Sequence, residues 1–125
     1  MLKSLNDQYE VENSGDKSGN FLHWWPKKNT IEWVQYDFDS TYTISESKVY
    51  WFDDGPWGGC RIPASWKLYY KKDSEWVLVK NSTPYEIAKD KYNIVQFEPV
   101  TTTAVKLEVQ LPADYATGIH EWIIK

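Results

Sequence analysis

Along most of this sequence apolar side chains return at every second residue, and nowhere does a 3.6-residue rhythm persist for the length of a helix. Alternation of that kind suits a pleated strand with one face buried. Ile31 to Phe38 sets Val34, Tyr36 and Phe38 against Trp33, Gln35 and Asp37, and a second strand is expected from about Thr43 to Phe52. Ser65 to Tyr70 alternates Trp66, Leu68 and Tyr70 with Ser65, Lys67 and Tyr69; Lys71 to Glu75 then turns the chain back into Trp76–Val79 as a hairpin. Asn93–Glu98 and Ala104–Leu111 follow, with Pro99 and Pro112 marking their exits, and Gly118–Ile124 closes the chain as a β-branched strand. Turn-forming residues gather at Asn13–Asn20, Asp53–Gly59, Asn81–Pro84 and Pro112–Gly118. Short strands spaced in this way predict an all-β antiparallel sandwich of the jelly-roll kind.

The 125 residues suffice for one such domain and are too few for two independent cores, so residues 1–125 are expected to fold as a unit. No stretch approaches the roughly 18 apolar residues of a membrane-spanning helix. A net charge of −4, with no run of more than two basic residues, removes the electrostatic attraction that nucleic-acid binding depends on. Anionic membranes are disfavoured for the same reason. Cys60 is the sole cysteine, which excludes an internal disulfide and a cysteine-based metal cluster. The aromatic content is high: eight Trp, nine Tyr and four Phe exceed what a sandwich of this length encloses, so some are expected on the surface. The opening residues carry no apolar run of signal-peptide length, so either the protein stays inside the cell or the sequence is a domain cut from a longer exported chain, and the second is the expectation favoured.

The segment from Asp53 through Gly55, Pro56, Trp57, Gly58 and Gly59 to Arg61 is the most informative for function. Its glycines and proline suit sharp turns, and they leave Trp57 without an apolar neighbour in sequence. An exposed indole presents a flat face to the C–H face of a pyranose, while Arg61 and the carboxylates of Asp53 and Asp54 suit its hydroxyls. The alternative is structural, with Trp57 folded back over the sandwich end and Arg61 paired to Asp53 or Asp54. The sequence contains no Gly-x-Ser-x-Gly elbow, no His-Glu-x-x-His and no phosphate loop, and adjacent carboxylates such as Asp53 and Asp54 do not span a sugar as a glycosidase pair must. No enzymatic activity is expected.

Read in order, several pieces resemble the discoidin, or coagulation-factor C-type (F5/8 type C, galactose-binding-like), domain, and in particular the bacterial family 32 carbohydrate-binding modules. They are Asn6-Asp7, Trp24-Trp25, Trp33–Phe38, Trp66–Tyr70 with the turn to Trp76, Val95–Pro99, Val105–Val109 and Gly118–Trp122. The phrases His23–Lys28 and Gly58–Pro63 are similar to those of sandwich domains appended to large glycan-degrading enzymes. The resemblance implies an eight-stranded jelly roll with sugar held by loops at one end. It implies that Trp24 is core while His23 and Trp25 add to the ligand loop, with a structural role for His23 as the alternative. It also implies a structural calcium held by Asp7 and Glu121, which the meeting of the two chain ends brings together; Glu10, Glu12 and Asp16 are read either as alternative ligands or as a solvated acidic loop. Trp33, Trp66, Trp76 and Trp122 are expected to pack in the core or on a sheet face. The functional expectation is a non-catalytic module that binds a mono- or oligosaccharide beside the catalytic domain of an exported glycoside hydrolase. The alternative is an interdomain brace with no ligand of its own.

Overall fold

The computed structural model describes residues 22–125, which form six strands. These are β1 (Leu22–His23), β2 (Ile31–Phe52), β3 (Ser65–Lys72), β4 (Glu75–Leu78), β5 (Tyr92–Gln110) and β6 (Gly118–Ile124), all paired antiparallel in the order β1-β6-β2-β5-β3-β4. No helix occurs among the described residues.

Two of these strands are longer than the sequence pattern predicts, because each joins two expected segments through a bend. In β2 the pairing with β5 skips between Asp37 and Tyr42 and again between Ile44 and Glu46. Pro99 therefore does not end a strand. It lies inside β5 between Gln96, which pairs with Glu46, and Val100, which pairs with Ile44. A residue with no N–H is tolerated where the ladder is already interrupted, and such an interruption bends the strand.

The bends divide the continuous ladder into two halves that share β2 and β5. The first part of β2 joins the last part of β5, then β3 and β4; the last part of β2 joins β6, then β1. Aromatic contacts show that the halves face each other. Tyr36 stacks on Trp122 with centroids 4.7 Å apart and donates its hydroxyl to the Trp122 carbonyl, and Trp51 meets Trp66 edge to face at 5.5 Å. Val49, Trp51, Val95, Leu107, Val109, Ile119 and Trp122 are completely enclosed between them. The fold is thus the expected antiparallel β-sandwich of the jelly-roll class. Two of its buried indoles also satisfy their N–H groups, Trp66 on the Glu86 carbonyl and Trp122 on the Ser47 hydroxyl.

The β3–β4 hairpin forms where expected, with Asp73 in the left-handed region at φ 56°. Trp66 and Trp122 are core, Trp24 is half-buried against it, and Trp76 is half-buried on an outer sheet face. Trp33 stands on that same outer face, one of the two placements expected of it, and is 59% exposed.

At one end of the sandwich, pairing of Leu22 with Ile119 and His23 with Gly118 brings the 23–25 segment beside the loop that leaves β2 at Phe52. A bridge between Cys60 and Ala116 adds the 112–117 connection. Phe52, Cys60 and Ala116 form a small buried cluster beneath the three segments.

These positions separate packing from surface display. Trp122→Ala should lower stability by about 3–5 kcal/mol, whereas Trp33→Ala should cost less than about 1 kcal/mol; urea denaturation followed by far-ultraviolet circular dichroism measures both.

Candidate functional site

The charged side chains of the 53–61 loop are turned into the loop itself. Asp53 is only 5% exposed; its Oδ1 accepts from the Gly55 N–H at 3.0 Å and its Oδ2 from the Ile62 N–H at 3.2 Å, with Lys89 Nζ 3.7 Å away. The first of these is the local bond by which Asp commonly starts a turn. Asp54 Oδ1 accepts from the Cys60 N–H at 2.8 Å, while the Asp54 carbonyl accepts from the N–H groups of Trp57 and Gly58. Arg61 Nη1 donates to the carbonyls of Gly58 and Cys60 at 2.7 and 2.8 Å. The same guanidinium lies 4.3 Å over the ring of Tyr115 and 3.9 Å from Asp54 Oδ1.

The loop glycines serve close packing rather than unusual backbone angles, since no described glycine has positive φ. A Cβ at Gly58 would fall on the Asp54 carboxylate, and one at Gly59 would come within 2.5 Å of the Trp25 indole.

What this brace holds outward is an indole. Trp57 is 93% exposed, so it does not fold back over the sandwich end. Trp25, 59% exposed, packs its ring edge on Gly59 from the neighbouring segment. Between them opens a cleft of about 340 Å³ lined by His23, Trp25, Phe52, Asp54, Trp57 and the backbone of 58–60. His23 is exposed at its rim.

Four of the residues singled out from sequence therefore meet in one cleft: His23, Trp25, Asp54 and Trp57. Two do not. Asp53 and Arg61 do not line that cleft, and backbone partners engage both side chains. Sequence reasoning missed Tyr115 and Phe52. Tyr115 sits in a segment that reads only as a turn, and it reaches Arg61 through a pairing between residues far apart in sequence; Phe52 reads as an ordinary strand end.

For the expected cation, Asp7 lies outside the described residues. Glu121 is 1% exposed on β6, opposite Tyr50 in register and away from the cleft. Among the described residues no three His, Cys, Asp or Glu side chains converge as a metal-holding group. A buried carboxylate does fit a hard cation whose remaining ligands are backbone carbonyls.

The sequence matches the family described as F5/8 type C, NedA-like, galactose-binding domain over residues 8–107. Its fold is similar to a solved structure from a Streptococcus pneumoniae beta-galactosidase, with a TM-score of 0.79, 17% identity, and coverage of 100% of this chain and 80% of the other. It is similar to a CBM32 structure produced by Clostridium perfringens, with a TM-score of 0.65, 12% identity, and coverage of 98% and 82%. A pectin-binding carbohydrate-binding module matches with a TM-score of 0.62, 15% identity, and coverage of 98% and 78%. At these identities the structural likeness concerns the fold.

The supporting role of Arg61 is measurable. Arg61→Ala should lower stability by about 1–2 kcal/mol through loss of its two carbonyl hydrogen bonds, and backbone amides of 54–60 should exchange faster with deuterium; unchanged exchange there would show that the guanidinium does not hold the loop.

Proposed function

The chain belongs to the F5/8 type C family of galactose-binding-like domains, and from that membership we propose that it is a non-catalytic carbohydrate-binding module whose ligand site is the cleft between Trp25 and Trp57. The observation that carries this reading is the pair of exposed indoles on a loop braced from behind. A pyranose has one face rich in C–H groups, which stacks on an indole at little entropic cost when the indole is already fixed. Asp54 and His23 stand at the cleft to meet its hydroxyls.

A single sugar of about twelve non-hydrogen atoms, at roughly 0.3 kcal/mol per atom, binds with about −4 kcal/mol, which is near millimolar affinity. Binding that weak serves an enzyme through tethering, which raises the local concentration of substrate around an attached catalytic domain. We therefore assign the module to an exported glycoside hydrolase, acting on glycan outside the cell. The adjacent carboxylates Asp53 and Asp54 are engaged by loop N–H groups, and this supports a role without chemistry of its own. A structural calcium at Glu121 and Asp7, completed by backbone carbonyls, belongs to the same reading.

The protrusion of Trp57 also suits a second reading, in which the indole anchors a neighbouring domain, as buried Trp anchors do at protein interfaces. A glycan array followed by titration under Trp fluorescence separates the two. Trp57→Ala should lose saturable glycan binding with its melting curve unchanged. Silence of the folded wild-type domain across a broad array, together with protection of Trp57 from quencher when the catalytic domain is added, would establish the brace instead. For calcium, 1 mM Ca2+ should raise the melting temperature relative to chelator, and Glu121→Gln should remove that difference; a melting curve insensitive to both sinks the assignment.

A further inference from the structure

The 112–117 connection is tied to both walls of the cleft. The Ala116 N–H donates to the Gly59 carbonyl, and the Ala116 carbonyl accepts from the Arg61 N–H, both at 2.9 Å, which links it to the loop that carries Trp57. The Thr117 carbonyl accepts at 3.0 Å from the N–H of Trp24, the residue before Trp25. A side chain of the connection adds to these backbone ties. The ring of Tyr115 lies 4.3 Å from the Arg61 guanidinium, although Tyr115 is 43% exposed and does not line the cleft.

The guanidinium has two competing uses. Its Nη1 donates to the Gly58 and Cys60 carbonyls at 2.7 and 2.8 Å, while Asp54 Oδ1 lies 3.9 Å away, outside hydrogen-bond distance. A hydrogen bond to a carboxylate is stronger than one to a neutral carbonyl, so a guanidinium able to turn would move toward Asp54 and release the carbonyls. Two contacts oppose that turn. The Tyr115 ring is one, and the Gly55 backbone is the other, since a Cβ at Gly55 would lie 2.7 Å from Arg61 Cζ and Nε. Packed against both, the guanidinium keeps Nη1 on the two carbonyls that flank Gly59, the residue on which Trp25 rests.

We propose, building on the reading of the Trp25–Trp57 cleft as a sugar site, that Tyr115 is a positioning residue for ligand binding. Acting through Arg61, it holds the 58–60 backbone in the form that seats the two indoles, and so sets affinity without touching the sugar. Removal of the ring leaves every cleft side chain in place and lets Arg61 exchange among the carbonyls, Asp54 and water. Each binding event must then order 58–60 again, a cost that a weakly bound sugar does not absorb. A cation–π contact of this kind is of the size that changes affinity about threefold to tenfold.

The test is titration under Trp fluorescence with galactose, glucose, N-acetylgalactosamine, N-acetylglucosamine, fucose and lactose as separate probes. Tyr115→Ala should bind the sugars that wild type binds about threefold to tenfold more weakly, with a melting curve close to wild type and faster deuterium exchange at the amides of 58–60. Tyr115→Phe, which keeps the ring, should match wild type. Gly55→Ala displaces the guanidinium without altering Tyr115 and should weaken binding in the same way. Because the ring acts only through Arg61, the double variant Arg61→Ala with Tyr115→Ala should bind no more weakly than Arg61→Ala alone. Losses that add in the double variant would overturn the proposal, and so would equal weakening by Tyr115→Phe and Tyr115→Ala, which would make the hydroxyl the active group. Unchanged binding in Tyr115→Ala would remove the proposal and leave the cleft reading standing, whereas silence of wild type toward every probe would remove both.

Discussion

The structure depends on the long ladder between β2 and β5, since both strands run through both halves of the sandwich. Fifteen residue pairs hold it, and every other strand attaches to one side of it. A ladder of that length is useful to a small domain only if it folds over on itself, because otherwise one face of each half would lie open to water. The bends near residues 38–42 and 97–101 permit that folding, and the contacts of Tyr36 with Trp122 and Trp51 with Trp66 close it. At roughly 25 cal/mol per Å² of apolar surface removed from water, closing two sheet faces together is the dominant stabilising term.

The same ladder determines where the cleft forms. β2 delivers Phe52 to the end of the sandwich, and its neighbour β6 begins there at Gly118, so the 53–61 loop and the 112–117 connection emerge side by side. Residues Gly118 to Trp122 of β6 are all buried, so they do not alternate, and His120 and Glu121 are enclosed with the rest. The loop is then held by polar bonds that run mostly to backbone atoms. Those bonds involve Asp53, Asp54 and Arg61, leaving the indoles as the principal groups that face outward.

Much of this was legible in the residues. Period-two alternation located β3 and the parts of β2 and β5 because each buries one face against the core, β6 was marked by its β-branched residues, and the turn at Asp73 was readable because an Asp there tolerates the left-handed region. The continuity of β2 and β5 was not legible. A prolonged bend and a strand break carry the same local signal, an interruption of the alternation with a proline nearby, and only pairing with a distant partner distinguishes them. In the site, Trp57 was legible because nothing apolar adjoins it in sequence. The inward turn of Asp53 and Arg61 was not, since a carboxylate or guanidinium in a loop looks alike whether its partners are the loop's own amides and carbonyls or a ligand's hydroxyls.

That ambiguity has a physical resolution which applies beyond these residues. A loop with three glycines within five residues loses much backbone entropy on being ordered, and an unbraced loop would impose that cost on each binding event. Short charged side chains are effective braces because each reaches backbone groups within a few residues and its bonds are stronger than neutral ones. Indoles are poor braces, with one donor each, yet they expose the largest flat apolar area of any side chain. In a weak-affinity site, then, charge is best used behind the loop and the rings in front of it. Asp53 and Arg61, whose bonds run to backbone atoms of the loop that carries Trp57, follow this division.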